Sequence, residues 1–166
     1  DVDEAITLHK PLEEFLGPGF PILAALSRAR STPRTLSMPV AANWRLNLHI
    51  SLDDYHTVAL HPTTFGSGGH VRRNDITYAR FGLHSAFLST SKPDAFAEMA
   101  AACADGSFRA SHYCIFQILP NLMVALIHSD GKFFHCYVQQ SVPVAHDRSV
   151  QRIWVHPAPF QAEHSR

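Results

Sequence analysis

An acid and two histidines lie close together before the middle of the chain. Asp53, His56 and His61 form the pattern D-x2-H-x4-H. Neutral imidazoles and carboxylates are suitable ligands for iron, zinc and other first-row metals. The spacing therefore predicts a metal site at His56 and His61, with an acid beside it that could connect the metal to a neighbour. The alternative is that both are ordinary histidines near a helix end, because histidine also has many structural roles.

The spacing of the two histidines restricts the backbone that can carry them. Residues five apart on a helix are rotated by about 140° at 3.6 residues per turn, so a straight helix cannot bring them together. Pro62 disfavours helical dihedrals at His61. We expect His56 on the last helical turn, His61 on the loop beyond it, and Asp53 on the same helical face as His56.

The helix that would carry these residues has a recognisable start. Asn43 is a favourable N-cap, and apolar residues follow it, which predicts a helix from Asn43 to about His56. Residues 34–41 precede it as a predicted strand. Near the start of the chain, residues 11–16 form a predicted helix that Gly17-Pro18-Gly19 should end.

The rest of the chain is mostly strand-like. Residues 76–88 are predicted as a strand or strand pair, and residues 94–104 as a helix ended by Asp105-Gly106. Asp130-Gly131 is a strong hairpin signal. Four further apolar runs are separated by turn residues: 112–119, 122–128, 132–142 and 149–156. These hairpin-joined runs predict an α+β fold, with an antiparallel sheet covered on one face by helices.

Composition narrows the class of protein. The 166 residues are 46% apolar and 17% charged with zero formal net charge, which is typical of one globular domain. No basic stripe indicates nucleic-acid binding, and the longest apolar runs are too short to span a membrane. No signal peptide is evident at the start. Cys103, Cys114 and Cys136 form no paired motif, so we expect free thiols in a reducing cytoplasm rather than disulfides or a zinc knuckle.

Longer segments carry a family resemblance. The string Asn43-Trp44-Arg45-Leu46, followed by D-x2-H-x4-H-P, resembles the catalytic domain of the Rieske non-haem iron oxygenases. The resemblance extends over most of the chain. Three short segments also resemble parts of that domain. Residues 12–17 resemble its first segment, residues 119–122 its F-P-N element at a strand edge, and residues 142–154 its closing hairpin.

The resemblance implies a fold, a reaction and partners. The family fold is a helix-grip, a twisted antiparallel sheet wrapped by helices around a deep apolar pocket. His56 and His61 match two ligands of a mononuclear Fe(II). Asp53 matches the acid that bridges to a Rieske [2Fe-2S] centre, usually in a neighbouring subunit of a trimer. The implied reaction is O2-dependent hydroxylation of an aromatic or other small apolar substrate. Electrons from NAD(P)H would arrive through a separate reductase or ferredoxin.

Three features depart from the family pattern. The third iron ligand should be an acid on a C-terminal helix, but only Glu163 follows the last predicted strand and no helix pattern surrounds it. The C-x-H and C-x2-H pairs of a Rieske domain are absent. His49 and Ile50 replace the usual Glu-Asn, and His49 is either a surface residue or a hydrogen-bonding neighbour of Asp53. Residues 1–166 are therefore interpreted as a single, truncated catalytic-type domain without its Rieske domain and C-terminal helix.

Two other functions compete with the oxygenase hypothesis. A non-enzymatic helix-grip module that binds an apolar small molecule would explain the missing ligand and cluster. A zinc hydrolase is less well supported, because no third ligand stands at a recognisable spacing. The loop at Gly66–Gly69 is either a lid or a plain connector. Six strand aromatics are candidates for a pocket or for the core: Phe81, Phe87, Phe116, Phe133, Phe134 and Tyr137.

Overall fold

A seven-stranded antiparallel sheet forms the centre of the molecule, in the order β1-β7-β6-β5-β4-β3-β2. The computed structural model describes residues 9–27, 32–53, 56, 59–60, 75–129 and 133–161. The strands are β1 Arg34–Val40, β2 Thr77–Phe81, β3 His84–Leu88, β4 Cys114–Ile118, β5 Leu122–Ser129, β6 Phe133–Ala145 and β7 Arg148–Gln161. The helices are α1 His9–Leu16, α2 Phe20–Ser27, α3 Trp44–Ser51 and α4 Ala95–Asp105, with a 3-10 turn at Gly17–Gly19.

The α+β prediction is confirmed, and the last two strands are longer than expected. Proline ended both predictions because it cannot donate to a strand ladder. Pro143 lies in β6 beyond Gln140, the last residue that pairs with Leu122 of β5. Similarly, β7 continues past Val155, where its pairing with β1 ends. Both extensions have a partner strand on one side only, and proline is tolerated in such edge segments.

Helices cover both faces of the sheet, which corrects the expectation of one covered face. Alternation along each strand sends successive side chains to opposite faces. On the first face, which we call the α4 face, Phe116 and Leu126 form the main core with residues of α1, α2 and α4. On the second, the α3 face, Phe87 and Met123 pack near the end of α3. The sequence pattern predicted only one covered face and did not show which helix lies on which side.

The turn between α1 and α2 places the backbone of Gly19 directly against the ring of the core residue Phe81. Gly17-Pro18-Gly19 ends α1 as predicted, and α2 begins at Phe20 after the 3-10 turn. A β-carbon at Gly19 would lie 2.6 Å from Cδ2 of Phe81. Phe81 is buried, and its ring stacks on Phe96 with centroids 5.1 Å apart, so it has little room to move.

Gly19→Ala is expected to lower the free energy of unfolding by about 1–3 kcal/mol, because the new methyl group overpacks the core. Urea denaturation measures the change. Ser27→Ala, at the far end of α2, serves as the control because it removes only an exposed hydrogen bond to the Ala24 carbonyl. Equal stability of Gly19→Ala and the native chain would contradict this close approach.

Helix α3 begins as predicted but ends earlier. The Asn43 side chain accepts a hydrogen bond from the Arg45 N–H at 2.9 Å, so it is the N-cap. The helix stops at Ser51 rather than His56, and Leu52 has non-helical dihedrals. The Ser51 hydroxyl donates to the Asn47 carbonyl, a local bond that competes with regular helix geometry. Among the described helices, none is long and apolar enough to cross a membrane.

Candidate metal site and adjoining sheet face

Tertiary hydrogen bonds fix α3 on the sheet. The Asn43 amide donates to the His146 carbonyl at 2.7 Å, in the turn between β6 and β7. One turn later the Asn47 amide donates to the Ser149 hydroxyl at 3.4 Å, and that hydroxyl donates to the Ala42 carbonyl at 3.0 Å. The start of α3 is thereby held at the β6–β7 turn. Asn43 therefore both caps the helix and anchors it, and the sequence predicted only the cap.

Asp53 lies just beyond the end of α3. The Leu52 N–H donates to the His49 carbonyl at 3.1 Å, and the Asp53 N–H donates to the Ile50 carbonyl at 3.3 Å. These bonds hold the first residues after the helix, while the Asp53 side chain is exposed. Because Asp53 lies outside the helix, regular helical spacing no longer places it on one face with His49 or His56. That part of the sequence interpretation is wrong.

His56 is nevertheless held beside Asp53. The backbone of His56 is itself helical, its side chain is half-buried, and Nδ1 lies 2.5 Å from the Asp53 carbonyl oxygen. A carbonyl only accepts hydrogen bonds, so Nδ1 carries the proton and the lone pair is on Nε2. This tautomer is typical of metal-binding histidines, whose second ring nitrogen donates to a fixed acceptor. The sequence placed the acid and histidine together but did not identify the backbone carbonyl as the contact.

His61, the second predicted ligand, lies outside the described residues. So do Glu163, the acid that follows the last predicted strand, and the Gly66–Gly69 loop. Within the described part of the chain, no three His, Cys, Asp or Glu side chains are close enough to hold a metal. The assignment of His56 and His61 as ligands thus stays a prediction. The donor chemistry of His56 fits it, because its Nε2 lone pair is the ligating atom that such a metal requires.

An apolar patch on the α3 face adjoins this site. Its buried centre consists of Phe87, Ile115, Met123 and Ala125, and we call it the apolar floor. Leu52, the residue before Asp53, packs against it. The floor therefore reaches the chain segment that carries Asp53 and His56. Further half-buried residues surround it: Ile76, Tyr113, Ile127 and Tyr137.

The candidate pocket aromatics divide between the two faces. Phe87 belongs to the apolar floor and Tyr137 packs at its edge. Phe81 and Phe116 lie in the core on the α4 face. The side chains of Phe133 and Phe134 lie outside the described set. Strand alternation predicted such a division, but the register decides which aromatics share a face with α3.

Two phenols beside the floor remain protonated over a wide pH range. Burial raises the pKa of Tyr113 well above its ordinary value, and the neighbouring Cys114 thiol and Tyr137 phenol raise it further. Burial also raises the pKa of Tyr137. The edge of the floor is therefore uncharged at neutral pH.

His84, by contrast, is a structural residue. It is buried, with Nε2 3.0 Å from the Phe15 carbonyl and Nδ1 accepting from the Leu119 N–H at 3.2 Å. Both ring nitrogens are thus occupied by backbone partners, and the neutral tautomer has its proton on Nε2. His84 connects the end of α1 to the end of β4 rather than binding a metal.

All three cysteines lie in the described part of the chain and are buried, and no disulfide links them. Burial raises the pKa of the Cys136 thiol from 9.0 to about 11, and raises that of Cys114 as well. A shift of two units leaves about 100-fold less thiolate at a given pH below both values. Since the thiolate is the reactive form, these thiols should be inert in the folded chain.

We expect the native Cys136 thiol to react with a disulfide reagent at pH 8 about 100-fold more slowly than the same thiol of the urea-unfolded chain. Since the folded pKa of Cys136 exceeds its unfolded value, its contribution to stability is complete below about pH 9. That contribution is lost as pH rises towards 11. A native thiol that reacts at the unfolded rate would contradict the buried placement.

Comparison with known proteins supports the fold. No family model and no curated protein sequence matches the chain. A quaternary ammonium Rieske monooxygenase, studied for carnitine oxidation by gut microbiota, aligns with a TM-score of 0.60 over 93% of this chain at 13% identity. Naphthalene 1,2-dioxygenase from Rhodococcus sp. aligns with a TM-score of 0.58 over 87% at 16% identity.

The aligned region is part of a larger protein in each case. This chain covers 38% of that monooxygenase and 40% of the naphthalene dioxygenase. At such identities the likeness shows the fold alone. The predicted resemblance to the Rieske non-haem iron oxygenases, and the helix-grip type of fold, are confirmed at that level.

Proposed function

We propose that this chain is the iron-binding catalytic portion of a Rieske-type oxygenase. The reaction is O2-dependent hydroxylation of an aromatic or other small apolar substrate. The observation that carries the proposal is the His56–Asp53 hydrogen bond, which presents Nε2 as a ligand in a chain with the fold of Rieske oxygenases. The D-x2-H-x4-H motif supports the same proposal, because it supplies His61 as a second histidine ligand.

In this proposal His56 and His61 bind a mononuclear Fe(II). The iron supplies the one-electron and O2 chemistry that protein side chains cannot perform. The Asp53 carbonyl fixes the orientation and tautomer of His56. Residues 1–166 then represent one catalytic-type domain of a longer polypeptide, whose Rieske domain and C-terminal helix lie outside this chain. That helix supplies the third ligand, and Glu163 is not assigned to the role.

Asp53 is proposed as the entry point for electrons. Its side chain is exposed while its backbone carbonyl contacts His56. The carboxylate could therefore accept a hydrogen bond from a partner protein while the backbone stays beside the proposed iron ligand. The partner is a histidine of a Rieske [2Fe-2S] centre in a neighbouring subunit of a homotrimer. A ferredoxin or reductase delivers electrons from NAD(P)H to that centre. Three buried free thiols are typical of a reducing compartment, and we place the protein in the cytoplasm.

The apolar floor is proposed to bind the substrate. Phe87, Ile115, Met123 and Ala125 are uncharged and buried next to Leu52, so an apolar molecule that inserts between them and the segment of Leu52 would lose contact with water close to the iron ligands. The same surface suits the family reaction, which needs a dry pocket beside the metal.

One observation favours a second function, a non-enzymatic module that binds an apolar molecule. A cavity of about 400 Å³ lies on the α4 face, within the size range of small-molecule pockets. It is lined mainly by aliphatic side chains of α1, α2 and the central strands, including Leu23, Leu26 and Val124. This cavity is on the opposite face from Leu52 and the apolar floor. Stoichiometric binding of an apolar probe without metal, unaffected by changes to His56, would support this function.

Reading the coding sequence on both sides of this segment is the first test of the oxygenase proposal. A frame that continues upstream into C-x-H and C-x2-H pairs and downstream into an acidic helix supports it. The longer polypeptide should then bind one iron per chain and consume O2 when a reductase and substrate are supplied. A frame that begins near Asp1 and stops near Arg166 would overturn the oxygenase and favour the binding module.

A further inference from the structure

Strand β6 carries two buried polar side chains, Gln139 and Ser141, on the same face of the sheet. Gln139 is 5% exposed and Ser141 is fully buried. They are two residues apart on a strand, so both face the same side of the sheet. Within the described part of the chain, no hydrogen-bond partner satisfies the Ser141 hydroxyl oxygen. Native structures keep few such groups, and those that persist often mark a site completed by a ligand or by water.

The strand register places this pair beside the apolar floor. Gln139 is directly opposite Met123, which belongs to the floor, and the next strand places Gln117 opposite Met123 on the other side. Adjacent strands are about 4.8 Å apart, so these side chains are neighbours. Gln117 in turn lies 3.4 Å from the Ser85 hydroxyl, a long hydrogen bond. Polar side chains therefore lie on both sides of Met123 across the α3 face, in a row that this floor residue interrupts.

This row is chemically neutral. Gln139, Ser141, Gln117 and Ser85 are all uncharged, and among the described strand partners Ser85 pairs with the exposed cation Arg80 on β2. A carboxylate buried in the middle of the row would lose its hydration without gaining a charged partner, which is strongly unfavourable. A hydroxyl or an amide could instead exchange hydrogen bonds with both a glutamine amide and a serine hydroxyl.

We propose that Gln139 and Ser141 recognise a neutral hydrogen-bonding group on the substrate, while its apolar body lies on the floor. The inference rests on the proposed function and narrows its substrate class to apolar molecules with one hydroxyl or amide. Gln139 and Ser141 are then specificity-determining residues, because they distinguish such a molecule from the plain hydrocarbon of the same size.

Binding of matched probes tests the proposal independently of catalysis. The protein in its complete, iron-loaded form is titrated without O2 with naphthalene, 2-naphthol and 2-naphthoate, and binding is followed by calorimetry. We expect 2-naphthol to bind about 10-fold more tightly than naphthalene, as one added hydrogen bond allows, and naphthoate to bind most weakly. Gln139→Met and Ser141→Ala should each bring the naphthol-to-naphthalene ratio close to one.

A stability measurement separates recognition from a structural role. Since the Ser141 hydroxyl is unsatisfied, Ser141→Ala should raise the melting temperature of the ligand-free protein or leave it unchanged. A structural hydrogen bond would make the same change lower it. Gln140→Met is the matched control, because Gln140 is adjacent in β6 but pairs with Leu122 and Arg152 on the α4 face. It should keep the naphthol preference.

The outcomes are distinct. A ratio near one in the native protein, or a ratio that survives Gln139→Met, overturns the inference but does not affect the proposal that the apolar floor binds the substrate. Loss of all probe binding overturns the pocket as well. The iron content of the same samples is measured separately, so failure of the metal site is recognised independently of either result.

Discussion

Replacing His56 by alanine is expected to abolish iron binding and, with it, oxygenase activity. Alanine offers no ligating atom, and the Nε2 lone pair that the Asp53 carbonyl fixes toward a metal is lost. Changes to residues that merely support ligands cost about 10–100-fold in metal affinity, so loss of a ligand should cost more. Iron content after anaerobic loading with Fe(II) and desalting, measured by elemental analysis, should fall to background. His61→Ala should give the same result.

His49→Ala is the matched control for this experiment. His49 is an exposed histidine on the last turn of α3, seven residues before His56. Replacing it by alanine removes the same imidazole group from a position that is not a predicted ligand. The iron content of His49→Ala should equal that of the native protein. Full iron occupancy in a folded His56→Ala protein would remove the basis of the proposed metal site, whatever the fold.

Asp53→Asn is expected to leave iron in place but slow its reduction by the Rieske partner. The substitution keeps the backbone carbonyl that holds His56, so the ligand geometry is preserved. It removes the carboxylate charge that would bond the partner's histidine. Hydrogen bonds to charged groups contribute about 1.5–3 kcal/mol, which corresponds to a roughly 10–100-fold slower transfer if the bond forms in the transfer complex. Rapid mixing with the reduced partner measures this rate.

Asp94→Asn provides the control for the lost charge. Asp94 is an exposed acid at the N-cap of α4 without a side-chain cap hydrogen bond, and asparagine is an equally good N-cap. It should change neither iron content nor reduction rate. Loss of iron from Asp53→Asn would refute the bridging role, and unchanged reduction would show that electrons enter elsewhere.

Much of the fold follows from local sequence signals. Asn43 caps α3 as predicted because its side chain and the N–H it accepts from are only two residues apart. Gly106 ends α4 with a φ of 78°, a left-handed conformation that glycine adopts without strain. The positions of the strands were also predicted, although β6 and β7 continue past their predicted ends, because alternating apolar side chains and turn residues are local patterns. The candidate ligand His56 and its acid neighbour Asp53 were equally visible as a spacing.

Two features of α3 were not predicted: its end at Ser51, which leaves Asp53 outside the helix, and the anchor of its start. The anchor joins Asn43 to His146, which is 103 residues away. Local propensity cannot predict such an anchor. The helix end, in turn, determines that the Asp53 carbonyl, rather than a shared helical face, positions His56.

The sequence by itself determined the elements, the candidate ligands and the α+β class, since each depends on residues close together in the chain. Only the tertiary structure decided which strand residues share a face with α3. Gln139 and Met123 are 16 residues apart, and they become neighbours because the β5–β6 register pairs them. A shift of that register by one residue would send Gln139 to the opposite face. The polar row beside the apolar floor is therefore a property of strand pairing, which no local pattern specifies.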